Sequence, residues 1–404
     1  MAADTWLEVP PESPFPVENL PYGVFSTAEG IGPRVGVAIG DGVLDLAPVL
    51  DDAVFAMSSL NPFLARGPEA WRTTRARLQD LLTDARRSDD VARHLLPIPE
   101  VRLHLPVEVA DYVDFYSSIH HARNLGRMFR PGSDPLTPNW RHLPIAYHGR
   151  AGTVVVSGTP IVRPWGQRKD AGDAGPSFGP SRRLDMEAEV GFVVGAGSTL
   201  GKRVPTSAFR DHVFGLVLVN DWSARDVQSW EYVPLGPFLG KSFATSMSAW
   251  VVPLEALEAA RVPSPPQDPP PLPYLAHEEE WGLDLTLEVA LNGEVVARPP
   301  FAGMYWTPAQ QLAHMTANGA SLRTGDVYAS GTVSGPEPGQ QGSLIELSSN
   351  GAEPFRLSDG STRTFLEDGD TVTIKASAPG LAGHPIGLGE VNGRIVAHPD
   401  GGQP

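Results

Sequence analysis

An α+β fold built mostly from strands is what this sequence predicts, and three observations predict it. Glycine and proline number 42 and 41 in 404 residues. That is about a fifth of the chain, against roughly 12% in an average protein. Turns must therefore be frequent. The apolar runs are short and bounded by turn residues, as strands are. Strand and helix patterns also fail to alternate, which argues against a doubly wound parallel sheet.

Composition narrows the function before any motif does. Hydrophobic residues make up 41% and charged residues 19%, enough for a large core and unlike a disordered chain. The net charge of −16 argues against a nucleic-acid partner, and no basic cluster offsets it. Cysteine is absent, which removes disulfides, thiolate nucleophiles and Cys-ligated zinc together. The N-terminal residues Met1–Trp6 lack a basic segment followed by an apolar core. No apolar run approaches the ~20 residues that cross a bilayer. A soluble cytoplasmic protein without membrane contact is expected.

Along the chain, Tyr22–Phe25, Arg34–Ile39 and Gly42–Leu46 read as strands. In Ile39-Gly40-Asp41-Gly42-Val43 the Asp-Gly pair predicts a hairpin turn. Arg72, Arg75, Arg77, Leu78, Leu81 and Leu82 recur at helical spacing. Pro97-Ile98-Pro99 then breaks the chain, and a domain boundary is expected at 105/106. Further strands are expected at Thr153–Val156, Glu187–Val194, Phe214–Val219, Leu283–Leu291, Leu344–Leu347 and Thr371–Ile374. The proline-rich segment Pro263–Pro273 reads as an extended surface excursion. Thr307, Pro308 and Gln310 form a capping-box start for one helix, and Asn318-Gly319 its expected end.

Chemistry gathers in a few segments. Glu187 and Glu189 are two apart in an apolar run, so a strand would point both to one face. Either that face meets solvent, or a cation satisfies the pair. Asp221 ends a run apolar on both faces, and Asp114 precedes an aromatic segment. Together these four would make an all-oxygen site suited to Mg²⁺, Ca²⁺ or Mn²⁺. His120 and His121 follow the strand candidate Asp111–Tyr116, at a helix start capped by Ser118. A histidine there is either a hydrogen-bonded structural group or a base, and Tyr116 and Asn124 lie close by in sequence. Ser223 and Asp226 resemble a capping box for a helix over Trp222–Trp230. That helix would align Arg225, Gln228 and Tyr232 in one stripe, solvated or functional. The apolar loop Val233–Gly240 then delivers Lys241. Ser330–Pro338 is a small-residue loop followed by Glu346, with neither a phosphate-loop nor a dinucleotide fingerprint.

Several of these runs resemble the fumarylacetoacetate hydrolase family. They are Asp111–Ser118, Asn220–Asp226, Trp230–Phe243, Pro138-Asn139-Trp140, Tyr147–Arg150, Ser330–Pro338 and, near the N-terminus, Phe15–Phe25. The resemblance covers nearly the whole chain. It implies an SH3-like barrel over residues 1–105, with a helical linker, and a β-sandwich or β-roll catalytic domain over 106–404 that forms a homodimer. It implies hydrolysis of the carbon–carbon bond of 4-fumarylacetoacetate to fumarate and acetoacetate, the last step of tyrosine and phenylalanine catabolism. A divalent cation, Mg²⁺, Ca²⁺ or Mn²⁺, would be the cofactor, and no organic cofactor is implied.

Carried over residue by residue, the resemblance makes Asp114, Glu187, Glu189 and Asp221 metal ligands, with Lys241 and Thr245 beside the cation. His121 would be the base and Glu346 its orienting partner, with Arg225, Gln228 and Lys241 completing the catalytic set. Tyr116, Arg130, Tyr147, Gln228, Tyr232 and Thr332 would contact substrate. The chain carries Ala244 where the family usually has glycine. Rival readings are a related acylpyruvate hydrolase or β-keto-acid decarboxylase, which would share the acids, and a non-catalytic metal-binding module, which would lack the base.

Overall fold

The computed structural model describes residues 5–28, 30, 32–276, 279–381 and 383–399. Among these, thirteen strands form one large sheet. In chain order they are β1 (Tyr22–Thr27), β2 (Arg34–Ile39), β3 (Gly42–Asp45), β4 (Leu95–Pro97), β5 (Val101–His104), β6 (Tyr112–Phe115), β7 (Ala146–His148) and β8 (Val154–Val156). There follow β9 (Ala188–Val194), β10 (Val213–Asp221), β11 (Thr245–Met247), β12 (Trp250–Pro253) and β13 (Val327–Ala329). The order across the sheet is β4-β3-β2-β1-β12-β10-β9-β13-β6-β7. Off this path β5 pairs with β1, and β11 pairs with both β10 and β8. Most pairs are antiparallel; β13 with β6 and β11 with β8 are parallel.

Both faces of the sheet centre are buried, so β9 and β10 read as continuous apolar runs rather than alternating ones. Val190, Phe192, Leu216 and Leu218 enter a core shared with Val289, Ile374 and Val391. Those three belong to a second sheet ordered Glu294–Ala297, Thr286–Leu291, Thr371–Pro379, Pro385–Val396, Ile161–Val162. Val193, Val217, Val219 and Tyr112 enter another core, with Val24, Val37, Leu44 and Phe63 of the N-terminal region. The mixed α+β, mostly β architecture is as expected. No helix among the described residues is long and apolar enough to cross a membrane.

Helix α1 (Pro68–Thr83) packs in the N-terminal core, and nearer the acids lie α2 (Ile119–Phe129), α3 (Arg225–Glu231), α4 (Pro308–Met315) and α5 (Leu344–Leu347). Ser118 caps α2 by accepting from the His121 backbone N–H, and Thr307 and Gln310 form the expected capping box on α4. Four sequence expectations need correction. Leu344–Leu347 is a helical turn, because a short apolar run cannot by itself distinguish strand from helix. The Ser223/Asp226 capping box is absent: Ser223 and Ala224 pair as a strand with Leu184 and Asp185, and α3 starts at Arg225. Asp226 instead accepts from Ser181 and from the Arg182 backbone. The β2–β3 turn uses Gly40, with φ +55, and Asp41 rather than Asp41-Gly42, and Gly42 lies in β3. Finally, α4 stops at Met315, before Asn318-Gly319.

One glycine near the site is required by a close backbone approach. Strand β13 ends at Ala329, and Gly331, at φ +78, bends the chain between Ser330 and Val333, which both still donate to β9 carbonyls. A Cβ there would lie 2.2 Å from the Phe115 carbonyl oxygen. Only glycine lets the two backbones approach so closely. Gly331→Ala is expected to destabilise the fold by at least about 1–3 kcal/mol, through the backbone conformation alone. The measurement is the unfolding midpoint against wild type.

Candidate active site

The acids come together because of strand parity. Tyr112, Val217 and Val219 face the core on the N-terminal side of the sheet. Side chains two residues further along each strand share that face, which places Asp114 of β6 and Asp221 of β10 there. Glu189 of β9 has the parity of Val193, which points the same way. Glu187 lies just before β9 with that parity too. Beyond Ala329, where β13 ends, Ser330 and Val333 still donate to the Val190 and Ala188 carbonyls of β9. The result is a cluster in which one carboxylate oxygen from each of Asp114, Glu187, Glu189 and Asp221 lies within 4.8 Å of all the others. All four side chains are buried.

Two cations partly offset this charge. The Lys241 ammonium donates to Glu187 and, at 2.6 Å, to Asp221 Oδ2. Arg225 Nη2 donates to Glu187 Oε1 at 2.7 Å. Tyr147 Oη and Thr245 Oγ1 donate to the two Asp221 oxygens at 3.0 and 3.2 Å. The Ala244 methyl packs in the main core and leaves that Thr245 contact in place.

The electrostatic outcome divides the cluster. Burial, and then the charge of Asp221, pushes the Asp114 carboxyl well above the usual carboxylate range. Burial, and then Asp114 and Glu187, does the same to Glu189. Burial also opposes charge on Glu187, but Lys241 and Arg225 outweigh it and hold this group below the usual range. For Lys241, burial is outweighed by Asp221 and Glu187, and its pKa lies above that of an ordinary lysine.

The donor set fits a divalent cation. Both Glu189 carboxylate oxygens and Asp114 Oδ1 are buried with no hydrogen-bond partner among the described residues. Leaving such groups bare costs free energy that a hard cation would recover. Asp114, Glu187, Glu189 and Asp221 would hold it.

Beside the cluster stands a histidine on a carboxylate. His121 Nδ1 lies 2.7 Å from Glu346 Oε2, and Nε2 lies 4.0 Å from Glu187 Oε1. A carboxylate only accepts, so Nδ1 is the donor toward Glu346, which leaves Nε2 as the ring atom that faces the cluster and can exchange a proton. Asn124, Ser334 and Ser343 also donate to Glu346. Burial opposes its charge, but His121, then Ser343 and Asn124, hold its pKa below the usual value.

These groups open into a cavity of ≈ 440 Å³. Of the fifteen residues singled out in the sequence, eleven line it: Asp114, Tyr116, His121, Arg130, Tyr147, Glu187, Arg225, Gln228, Tyr232, Lys241 and Thr332. Glu189, Asp221 and Thr245 lie behind Glu187 and Lys241, and Glu346 lies behind His121. His120 is half-buried and does not line the cavity. Thr332 Oγ1 is buried without a partner among the described residues. Sequence reasoning missed an apolar wall made by Leu125, Phe129, Leu136, Trp140 and Ile145. It also missed Asp185, Ser334 and Ser343, whose only signal was polarity inside apolar or small-residue runs.

Residues 112–396 match the family model described as fumarylacetoacetate (FAA) hydrolase C-terminal. Residues 18–106 match the one described as fumarylacetoacetase N-terminal. The chain belongs to the fumarylacetoacetase family. It is 49% identical to the fumarylacetoacetases of Rattus norvegicus and Homo sapiens, each over 97% of this chain and 98% of the relative. Identity to the fumarylacetoacetase of Arabidopsis thaliana is 48%, over 98% of this chain and 99% of the relative. Among solved structures, a fumarylacetoacetate hydrolase from Exiguobacterium antarcticum aligns with TM-score 0.56 at 18% identity, over 94% of this chain and 100% of that one. A maleylpyruvate hydrolase from Sphingobium aligns with TM-score 0.54 at 16% identity over the same shares. At such identities these two show a shared fold.

The orphaned oxygens generate a prediction for this family member. Adding Mn²⁺ to cation-free protein should raise its unfolding midpoint, by an amount equivalent to about 2.7 kcal/mol at 100 times Kd. Glu189→Gln should unfold at or above the wild-type midpoint without cation, since one buried acid is gone. It should also lose most of the Mn²⁺-induced rise. A variant that kept the whole rise would remove Glu189 from the ligand set.

Proposed function

We propose that this chain is a metal-dependent hydrolase that cleaves the carbon–carbon bond of 4-fumarylacetoacetate, releasing fumarate and acetoacetate, the last step of tyrosine and phenylalanine breakdown. The observation that carries the reading is the placement of His121: Nδ1 on Glu346, Nε2 toward the carboxylate cluster, and the ring on the cavity wall. Near-complete coverage by curated fumarylacetoacetases supports it. An acylpyruvate hydrolase would share the acids, but the match over 18–106 favours the fumarylacetoacetase reading.

Hydrolysing this bond needs a base for water and stabilisation for two successive anions. His121 Nε2 takes the proton from water as the oxygen attacks the carbonyl carbon, and Glu346 stabilises the resulting imidazolium. Gln228, Arg225 and Lys241 donate to the oxyanion of the tetrahedral intermediate. Its collapse breaks the carbon–carbon bond. The electron pair passes to the acetoacetate carbon, where it is delocalised as an enolate, and the proton on His121 returns to that carbon. A divalent cation, Mg²⁺ or Ca²⁺ by the hardness of the donor set, supplies a Lewis acid for the carbonyl oxygens of the diketone when bound.

The substrate has a carboxylate at each end, and we assign Arg130 to one of them. It caps the end of α2 at the cavity mouth, with Nη2 on the Pro135 carbonyl at 2.7 Å. A guanidinium can grip a carboxylate through two donors, with Tyr116 adding a third. Thr332, Tyr147 and Tyr232 are neutral donors elsewhere in the cavity. We further read residues 1–105 as an SH3-like barrel and 106–404 as the catalytic β-roll domain. The segment 95–104, which pairs through β4 with β3 and through β5 with β1, supports the first. A cytoplasmic homodimer is the assembly that goes with this family resemblance.

The direct test is one fumarate and one acetoacetate per diketone consumed, lost on chelation and restored by a divalent cation. His121→Ala should lose at least about 10²-fold in kcat, as expected for a general base, and His120→Ala should stay near wild type. The reverse ranking would assign the base to the wrong imidazole. For the carboxylate reader, an ester at the end bound by Arg130 should cost about 10²-fold or more in kcat/KM. Arg130→Met should show a much smaller ester penalty. Equal penalties in both proteins would assign that carboxylate to another group.

A further inference from the structure

Asp185 does not line the cavity, yet it is fully buried and three of its four bonds lead to the site. Oδ2 accepts from Arg225 Nε at 2.9 Å and from the Ile345 backbone N–H at 3.1 Å. Oδ1 accepts from the Leu344 N–H at 2.7 Å and from the Met186 N–H at 2.8 Å. Four donors thus occupy the two oxygens.

The bonds join two halves of the chemistry. Leu344 and Ile345 open α5, which carries Glu346. Ser343, in the capping position, makes no side-chain bond to the α5 backbone, because its Oγ donates to Glu346 instead. Asp185 does that holding from a different part of the chain. On its other side, Arg225 is fixed at two edges, Nε on Asp185 and Nη2 on Glu187. This turns Nη1 toward Gln228 Oε1, 3.2 Å away.

We propose that Asp185 is a positioning residue for the hydrolysis proposed above, on which this inference rests: one carboxylate sets both the Arg225 guanidinium and the turn that holds Glu346 against His121. Oxyanion donor and base are thereby kept in a fixed relation across the cavity. The role requires two accepting oxygens. An asparagine offers one accepting oxygen, and its NH₂ would face either Arg225 Nε and the Ile345 N–H or the Leu344 and Met186 N–H groups. A carboxylate that merely stabilised the fold would shift the unfolding midpoint and leave turnover per folded molecule unchanged.

The experiment compares wild type, Asp185→Asn, Glu346→Gln and the double variant, all loaded with Mg²⁺. Asp185→Asn should lose about 10- to 100-fold in kcat, the span typical of residues that orient catalytic groups. KM and Mn²⁺ affinity should stay near wild type. In the Glu346→Gln background the same substitution should cost much less, since part of its effect runs through Glu346. Unchanged kcat, a loss confined to KM, or an equal loss in both backgrounds would each overturn the proposal. Should Asp185→Asn fail to fold, Asp185→Glu keeps the charge but displaces it by one methylene. Folded Asp185→Glu should still lose kcat at unchanged KM; wild-type kcat from it, or failure of both variants to fold, would make Asp185 a structural residue only. Wild-type protein that releases no fumarate would overturn the functional reading itself. That is distinct from an active wild type with an equally active Asp185→Asn.

Discussion

Mutual repulsion among buried carboxylates is the constraint on which the rest of this structure depends. Oxygens within 4.8 Å of one another cost about 3 kcal/mol per ionised pair at an effective dielectric near 20. An apolar sheet end does not hold four such groups without compensation. The chain supplies Lys241 and Arg225, both drawn to Glu187. It leaves Glu189 without a partner among the described residues. This asymmetry gives the cluster a fixed side, closed by protein cations, and a second side where a metal ion is the natural complement. Glu187 is the hinge of the arrangement, since it touches both protein cations and also faces His121.

Around that centre the cavity divides its labour by polarity. One wall is Leu125, Phe129, Leu136, Trp140 and Ile145, which can offer a substrate shape and water exclusion but no hydrogen-bonding side chain other than the indole of Trp140. That indole is itself committed to the Tyr116 carbonyl. The other wall carries Arg225, Gln228, Lys241 and His121. Low local polarity on the first side strengthens every charge interaction on the second.

Much of this was legible in the sequence wherever the signal was periodic or strictly local. Glu187 and Glu189 share a face because strand side chains repeat every two residues, and that reading needed no tertiary information. Ser118 and the Thr307/Gln310 pair are caps whose chemistry is complete within four residues. What failed was either too short or too distant. Leu344–Leu347 is four apolar-rich residues, compatible with strand or helical turn, and the choice is made by Asp185, about 160 residues away. The supposed Ser223/Asp226 box lost to tertiary partners, because Ser181 and Arg182 claim the Asp226 carboxylate. The β2–β3 turn shifted by one residue, and a Cβ on Gly42 would collide with Leu95. Asp185 itself looks unremarkable beside the paired glutamates, since nothing local indicates that its partners lie on Arg225 and at the start of α5.

The 225-residue gap between His121 and Glu346 has a consequence for how the molecule comes into being. At synthesis rates of about 5–20 residues per second, the histidine leaves the ribosome roughly 10–45 s before its carboxylate does. Asp114 has already emerged and the other three acids emerge during that interval, and no nascent chain shorter than residue 346 holds a complete site. Until then Asp114 and the glutamates are exposed anionic segments of an unfinished sheet, open to any cation or basic surface in reach. Catalytic competence therefore cannot precede the synthesis of residue 346.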